Sequence, residues 1–212
     1  MTHTSPLPGP SANAEERSPR LPPEERRNQI LDAARRVLVA DPHRELSVEL
    51  VAAEAKVSPA LLFHYFGSKK KFQFAVIEAA ATELMLRTAP DVSLPPDERL
   101  RSGIRAFVRA VLEVPQLYRA TLLMSAAGDP AVRALHSEVR QVFSHWVIEA
   151  IGQLGIETTP TLELACHGWQ GYVEQILLTW IADPTVSPAA LEHLCERSLE
   201  ALLTTATPEP RK

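Results

Sequence analysis

Cysteine is nearly missing from this chain: Cys166 and Cys195 are its two, and neither sits in a CxxC or Cys/His spacing. The spacing excludes a zinc site, and the number excludes a disulfide scaffold. Both are expected to be reduced thiols, with no metal and no cofactor; a redox-sensing pair is the alternative. Long apolar runs are also missing, since none approaches the about 18 residues that a membrane span needs. The N-terminal stretch holds no apolar signal core. A cytoplasmic location with no membrane partner is expected. Glycine is scarce, eight in 212 residues, and no cluster of them forms a phosphate-cradling loop. There is no Ser/His/Asp order and no telling pair of carboxylates, so an enzyme is not expected. No segment sustains the alternation of a half-buried strand, and no repeat is evident.

What is present is helix. Apolar residues make up 45% of the chain, ample for a buried core. Residues 1–22 hold Pro6, Pro8, Pro10, Pro19 and Pro22 with few apolar residues, which predicts a disordered tail. Its Arg17 and Arg20 are candidates for a minor-groove arm, against the plainer reading of a solvated tail. From Pro23 onward the pattern is helical, with Asp41-Pro42, the 90–96 loop, Gly128, Leu154-Gly155 and Asp183-Pro184 as breaks. About nine helices are expected. Charge is uneven: residues 1–90 carry 12 basic and 11 acidic side chains, and residues 91–212 carry 10 and 15. A near-neutral front and an acidic back suit nucleic acid at one end only. Arg101, Arg105 and Arg109 line one side of a predicted helix and are expected to be solvated, partly paired through Glu98 and Glu113.

The densest information lies in residues 46–71, LSVELVAAEAKVSPALLFHYFGSKKK. Ser47 can cap a first short helix, whose apolar face is Val48, Val51, Ala52 and Ala55. Lys56-Val57 is a break. Ser58 can cap a second helix, with Pro59 at its first position, where a missing N–H costs nothing. Leu62 and Phe66 stand four apart and can pack inward. Gly67 can close the helix, and Ser68 opens the next, followed at once by Lys69, Lys70 and Lys71. Between residues 55 and 77 there are four lysines and no acid. Two short capped helices beside a lysine cluster fit a helix-turn-helix that sets its second helix in the major groove.

Residues 26–79 resemble the DNA-binding domain of the tetracycline-repressor (TetR) family of transcriptional regulators. The resemblance is carried by Ile30-Leu31-x-Ala33-Ala34, Leu46-Ser47-Val48, Val57-Ser58, Leu62-Phe63-His64-Tyr65-Phe66 and Ser68-Lys69, with Phe72 and Val76 behind them. It implies that Ser47 and Lys69 touch phosphates. It implies that Pro59, Ala60, Leu61 and His64 approach bases and that Phe63 and Tyr65 lie against the backbone. Ser58 joins His64 as a candidate for polar readout. Three departures stand out. The usual turn glycine is Lys56, the usual tyrosine is Phe63, and the base-facing Pro59, Ala60 and Leu61 are apolar. These last can meet thymine methyls but make no bidentate hydrogen bonds.

The expected architecture is all-α. Residues 1–22 form a tail, 23–80 a three-helix helix-turn-helix domain with the start of a fourth helix, 81–206 a helical ligand-binding and dimerisation domain, and 207–212 a second tail. One recognition helix reads few base pairs, so a homodimer on a palindromic double-stranded DNA operator is expected. Ile176, Trp180, Leu194, Cys195 and Leu202 on the last two helices are the interface candidates. The resemblance also implies a small-molecule effector in the C-terminal domain. Phe107, Tyr118, Met124, Phe143, Trp146, Trp169 and Tyr172 are the candidate lining, and His145 and His167 the candidate polar contacts. Gly168 and Gly171 in mid-helix suggest close packing or a pocket wall. The expected activity is a ligand-released repressor. An activator of the same fold, or a helical interaction protein or enzyme without DNA binding, is the alternative.

Overall fold

The structure, a computed structural model, describes residues 22–206. The two expected tails, with Arg17 and Arg20, lie outside the described residues apart from Pro22. Among the described residues the chain folds into nine helices and no strand: α1 Pro23–Ala40, α2 Val48–Glu54, α3 Pro59–Phe66, α4 Lys69–Thr88, α5 Pro96–Glu113, α6 Pro115–Ala126, α7 Pro130–Gln153, α8 Pro160–Ala182 and α9 Pro188–Ala206. Seven of the nine begin on a proline. A proline there has its φ already set and forfeits only an N–H that no helical carbonyl would accept. Side-chain caps complete the starts: Ser47, Ser58, Ser68, Asp129 and Thr159 each accept a first-turn N–H.

The turn between α2 and α3 is a Schellman closure. Val57 N–H donates to the Ala52 carbonyl and Lys56 N–H to the Ala53 carbonyl, at 2.9 and 3.1 Å. The closure puts Lys56 at φ 56°, and among the described residues it is the one non-glycine with positive φ. A Cβ in this region costs about 1–2 kcal/mol, partly offset by the unfolded-chain entropy that a glycine loses. Lys56→Gly is therefore expected to stabilise the fold by about 0.5–1 kcal/mol, read as a higher urea midpoint at unchanged slope. A lower midpoint would show that the lysine is not strained.

Helices α1–α4 share one core, with Ile30, Val51, Leu62 and Phe72 fully buried. Phe66 meets Phe72 edge to face at 5.1 Å between centroids. This core is not closed by its own helices. Leu117 of α6 and Val132 of α7 belong to it, and Met124 and Leu135 pack against it. The α6–α7 hairpin thus docks on the N-terminal helices. Lys70 and Asp129, which caps α7, pair at 2.8 Å across that contact. The hydrogen bond from Lys70 and those from the α7 backbone hold the Asp129 carboxyl below its ordinary range.

α4 passes residue 80 without a break and joins the two halves. Near its end Arg87 makes a two-pronged pair with Glu113 of α5 at 2.5 and 2.6 Å, while Arg35 of α1 reaches Glu83 at 2.6 Å. The second half is built on α5, α8 and α9, around Val108, Leu177, Leu191 and Cys195. The arginines of α5 do not pair with Glu98 and Glu113 as expected. They form a ladder with α9: Arg101–Glu200 at 3.7 Å, Arg105–Glu196 at 3.2 Å and Arg109–Glu192 at 2.8 Å. Glu113 is taken by Arg87, and a second acid for Arg101 is Asp97, one turn away at 3.2 Å.

Candidate nucleic-acid interface and ligand cavity

α3 shows two opposite sides. Leu62 and Phe66 face the core, and Ser58, Pro59, Ala60, Leu61 and His64 are exposed. Helical spacing puts Ala60, Leu61 and His64 together on the outer side. Phe63 and Tyr65 are half-buried against the core at the flanks, and Tyr65 meets His64 edge to face at 5.5 Å. Lys69, Lys70 and Lys71 are exposed just beyond the left-handed Gly67 (φ 80°). Lys70 is committed to Asp129, which leaves Lys69 and Lys71 as the lysines of this run without an ion pair among the described residues. The hydroxyls of Ser47 and Ser58 are already in use as caps. Ser47 accepts from Leu50 N–H at 3.4 Å and donates to Glu49 Oε2 at 2.7 Å, which lowers the Glu49 pKa; Ser58 accepts from Leu61 N–H at 3.1 Å. Ser47 must turn from Glu49 to offer its proton to a phosphate.

In the second half, five helices surround a cavity of about 120 Å³. Five of the seven expected lining residues are there: Phe107, Tyr118, Phe143, Trp146 and Trp169. Four of them form an edge-to-face chain, Tyr118–Phe107–Phe143–Trp146, with centroids 6.2, 5.2 and 5.3 Å apart. Met124 and Tyr172 are corrections. Met124 sits one face round α6 from Tyr118 and packs into the α1–α4 core with Leu117, seven residues away. Tyr172 is 44% exposed, on the outer side of α8, because the cavity takes Trp169, Gln170, Val173 and Glu174.

The polar wall also differs from expectation. His145 points to solvent near Glu149, and His167 bonds Ser144 at 3.0 Å; neither lines the cavity. His136, Arg140 and Glu174 line it instead. Glu174 takes His136 Nε2 at 3.0 Å and Arg140 Nη1 at 3.3 Å, and Ser125 contacts His136 Nδ1 at 3.3 Å. Burial and the neighbouring Glu174 push the Tyr118 pKa up, so its phenol stays protonated. The signal for this wall was in the sequence: His136 and Arg140 precede Phe143 at helical spacing and share its face. Leu84 and Thr88 of α4 complete the lining, a placement that no local pattern announced.

The interface candidates separate. Cys195 is fully buried in its own chain's core, a correction: α9 turns it inward with Leu191 and Leu199. Ile176, Trp180 and Leu202 are half-buried against that core, and the Trp180 indole donates to the Val186 carbonyl at 2.8 Å. Leu194 is exposed, as are Leu164 and Tyr172. A Cβ at Gly168 or Gly171 would meet nothing within 4 Å, so these glycines pack against nothing in this chain, and neither lines the cavity. Burial raises both thiols to about 11, which leaves neither Cys166 nor Cys195 with thiolate character at neutral pH. Among the described residues no cluster of ligating side chains could hold a metal, and no helix is long and apolar enough to cross a membrane.

The sequence pattern described as bacterial regulatory proteins, tetR family, matches residues 30–76. An uncharacterized HTH-type transcriptional regulator of Mycobacterium tuberculosis is 32% identical over 144 residues, 66% of this chain and 66% of that protein; the match spans just under two thirds of the relative. The HTH-type transcriptional regulator BetI of Brucella melitensis is 31% identical over 134 residues, 61% of this chain and 67% of that one. A solved tetR-family transcriptional regulator from Streptomyces coelicolor superposes with a TM-score of 0.70 at 26% identity, over 86% of this chain and 82% of that one. The fold and the helix-turn-helix define a DNA-binding class of all-α protein. This chain belongs to the tetR family of bacterial regulatory proteins, a family of regulators and not of enzymes.

Proposed function

We propose that this protein is a cytoplasmic homodimeric repressor that leaves a palindromic operator when a small molecule enters the cavity. The observation that carries the reading is the course of α4. It starts at the exposed Lys69 beside the recognition helix and ends with Leu84 and Thr88 in the cavity wall. Residues 23–80 are the operator-reading unit, and residues 81–206 hold effector and partner. Ser47 and Lys69 bind phosphates, with Phe63 and Tyr65 against the backbone. Ser58, Pro59, Ala60, Leu61 and His64 face the bases. With three apolar residues there, readout rests on thymine methyls, His64 and DNA shape. The partner packs on the outer side of α8 and α9, where Leu194 is exposed and Ile176, Trp180 and Leu202 form the seam; the bare backbone at Gly168 lets a helix come close.

The switch is a two-state equilibrium. Without effector the two recognition helices lie one DNA turn apart. An effector that binds the splayed state about a hundredfold better shifts the balance by about 2.7 kcal/mol. Selection of DNA from a random pool by the purified protein tests the reading. A palindrome is expected to be enriched. Lys69→Ala is expected to weaken all sequences alike and to lower the salt dependence by about one phosphate contact per subunit. His64→Ala is expected to relax one position of each half-site by about 1–3 kcal/mol. No enriched sequence, and no binding at low salt, would end the operator reading. Transcription that rises on operator binding would make the protein an activator.

A further inference from the structure

The cavity is small for an effector site, since sites for drug-sized ligands run to about 300–1,000 Å³. Its wall toward the N-terminal helices is a single layer: Leu84, Tyr118, His136 and Val139. Those same four side chains also face a second space, a cleft of about 620 Å³ between α1 and α4 on one side and α5, α6 and α7 on the other. Beyond the partition the cleft is lined by aliphatic groups, among them Leu31, Ala80 and Leu135, with charged side chains of α1, α4 and α5 beside them. Three of the four partition members are held by packing, with Tyr118 resting edge-on against Phe107. His136 is the one tied by hydrogen bonds.

The charged side chains of the first chamber already have partners. Glu174 is paired with Arg140 and hydrogen-bonded to His136. Arg99 spends its N–H groups on the carbonyls of Asp91, Val92 and Leu94 and on Gln153. In the cleft Glu83 and Glu113 are matched by Arg35 and Arg87, Arg27 lies over the Phe66 ring, and Asp32 and Glu78 are exposed to solvent. In the first chamber an ionic ligand would have to displace one of these contacts to find a counter-charge, and a neutral one would not.

We propose that cavity and cleft are two chambers of one effector site, and that the effector is an uncharged, elongated apolar molecule. Its leading end fills the aromatic chamber, and its far end passes Tyr118 to lie between α1, α4 and the α6–α7 hairpin. The effector then acts as a spacer between the DNA-reading helices and the hairpin docked on them, and not through α4 alone. This rests on the effector-regulated reading above.

The test uses the full chain and a series of 1-alkanols from hexanol to dodecanol, followed by tryptophan fluorescence, because Trp146 and Trp169 line the first chamber. Affinity is expected to rise about fourfold per added methylene, the value of one buried CH₂, through the whole series. Ala80→Trp and Thr121→Phe each fill the cleft from a different helix, and neither residue lines the first chamber. In the variant that retains wild-type helicity and operator binding, the rise is expected to stop several carbons earlier. A wild-type rise that stops at hexanol or heptanol, or variants with no shortened series, overturns the second chamber and leaves the effector reading standing. Tighter binding of the matching alkanoates or alkylammoniums overturns the uncharged assignment. Failure of every alkanol, with no effect on operator binding, counts against the effector cavity itself.

Discussion

Phe72→Ala is expected to lower the unfolding free energy by about 3–5 kcal/mol and to abolish operator binding at 37 °C. Phe72 is the largest fully buried side chain among the described residues. It lies in the first turn of α4, three residues past Lys69, and its ring closes on Phe66 at the end of α3. Removing it leaves a void that neither helix can collapse into without moving the recognition helix. A typical domain has about 5–15 kcal/mol in total, so the loss is a large share of it. Because Leu117 and Val132 share this core, the transition is expected to remain single and to shift as a whole, with the α6–α7 hairpin released along with α1–α4. Urea titration followed by circular dichroism reads both midpoint and slope. Two separated transitions, with the second at the wild-type midpoint, would show that the hairpin does not depend on the N-terminal core.

The second large effect is expected on DNA binding with the fold left intact. Leu194 is 44% exposed and belongs to none of the core clusters of its own chain, so Leu194→Arg is expected to change monomer stability by no more than about 0.5 kcal/mol. In the proposed dimer the same change puts two guanidinium groups into an apolar seam near the two-fold axis, where each meets its like. The pair is then expected to dissociate at micromolar concentration. One subunit reads one half-site, so operator affinity is expected to fall about a thousandfold, toward the level of non-specific binding. Sedimentation equilibrium and operator titration measure the two losses side by side. A variant that stays dimeric with wild-type affinity would move the partner contact away from this face of α9.

The helix boundaries were legible because they are written in local chemistry. Proline at Pro23, Pro59, Pro115, Pro160 and Pro188, and hydroxyl or carboxylate caps at Ser47, Ser58 and Asp129, act within one turn of themselves. The strained Lys56 was legible for the same reason, through the glycine that the resemblance led one to expect there. What is not local was missed. The apolar face of α8 is broad enough to take in both Trp169 and Tyr172, so periodicity could not choose between them, and tertiary packing placed one in the cavity and the other outside. Cys195 and Leu194 are adjacent on α9, and one residue of rotation decides which is core. Met124 was assigned to the wrong core because the α6–α7 hairpin serves the N-terminal half. The partners of Arg101, Arg105 and Arg109 lie some 80 to 100 residues further on, beyond the reach of any i,i+4 rule.

That ladder has a property which a lone ion pair lacks, because its rungs repeat every four residues on both rails. If α5 slides along α9 by one rung, about 6 Å at 1.5 Å per residue, two of the three guanidinium groups find the next carboxylate and two pairs re-form. A slide of half that distance strands all three. The interface therefore behaves as a ratchet with discrete stops and resists creeping shear. The stops are shallow, since the arginines are 41–65% exposed and ion pairs open to solvent contribute little. They also soften as ionic strength rises. In the proposed switch, motion of α5 is then handed to α9 as a tilt of the whole helix, with its register kept.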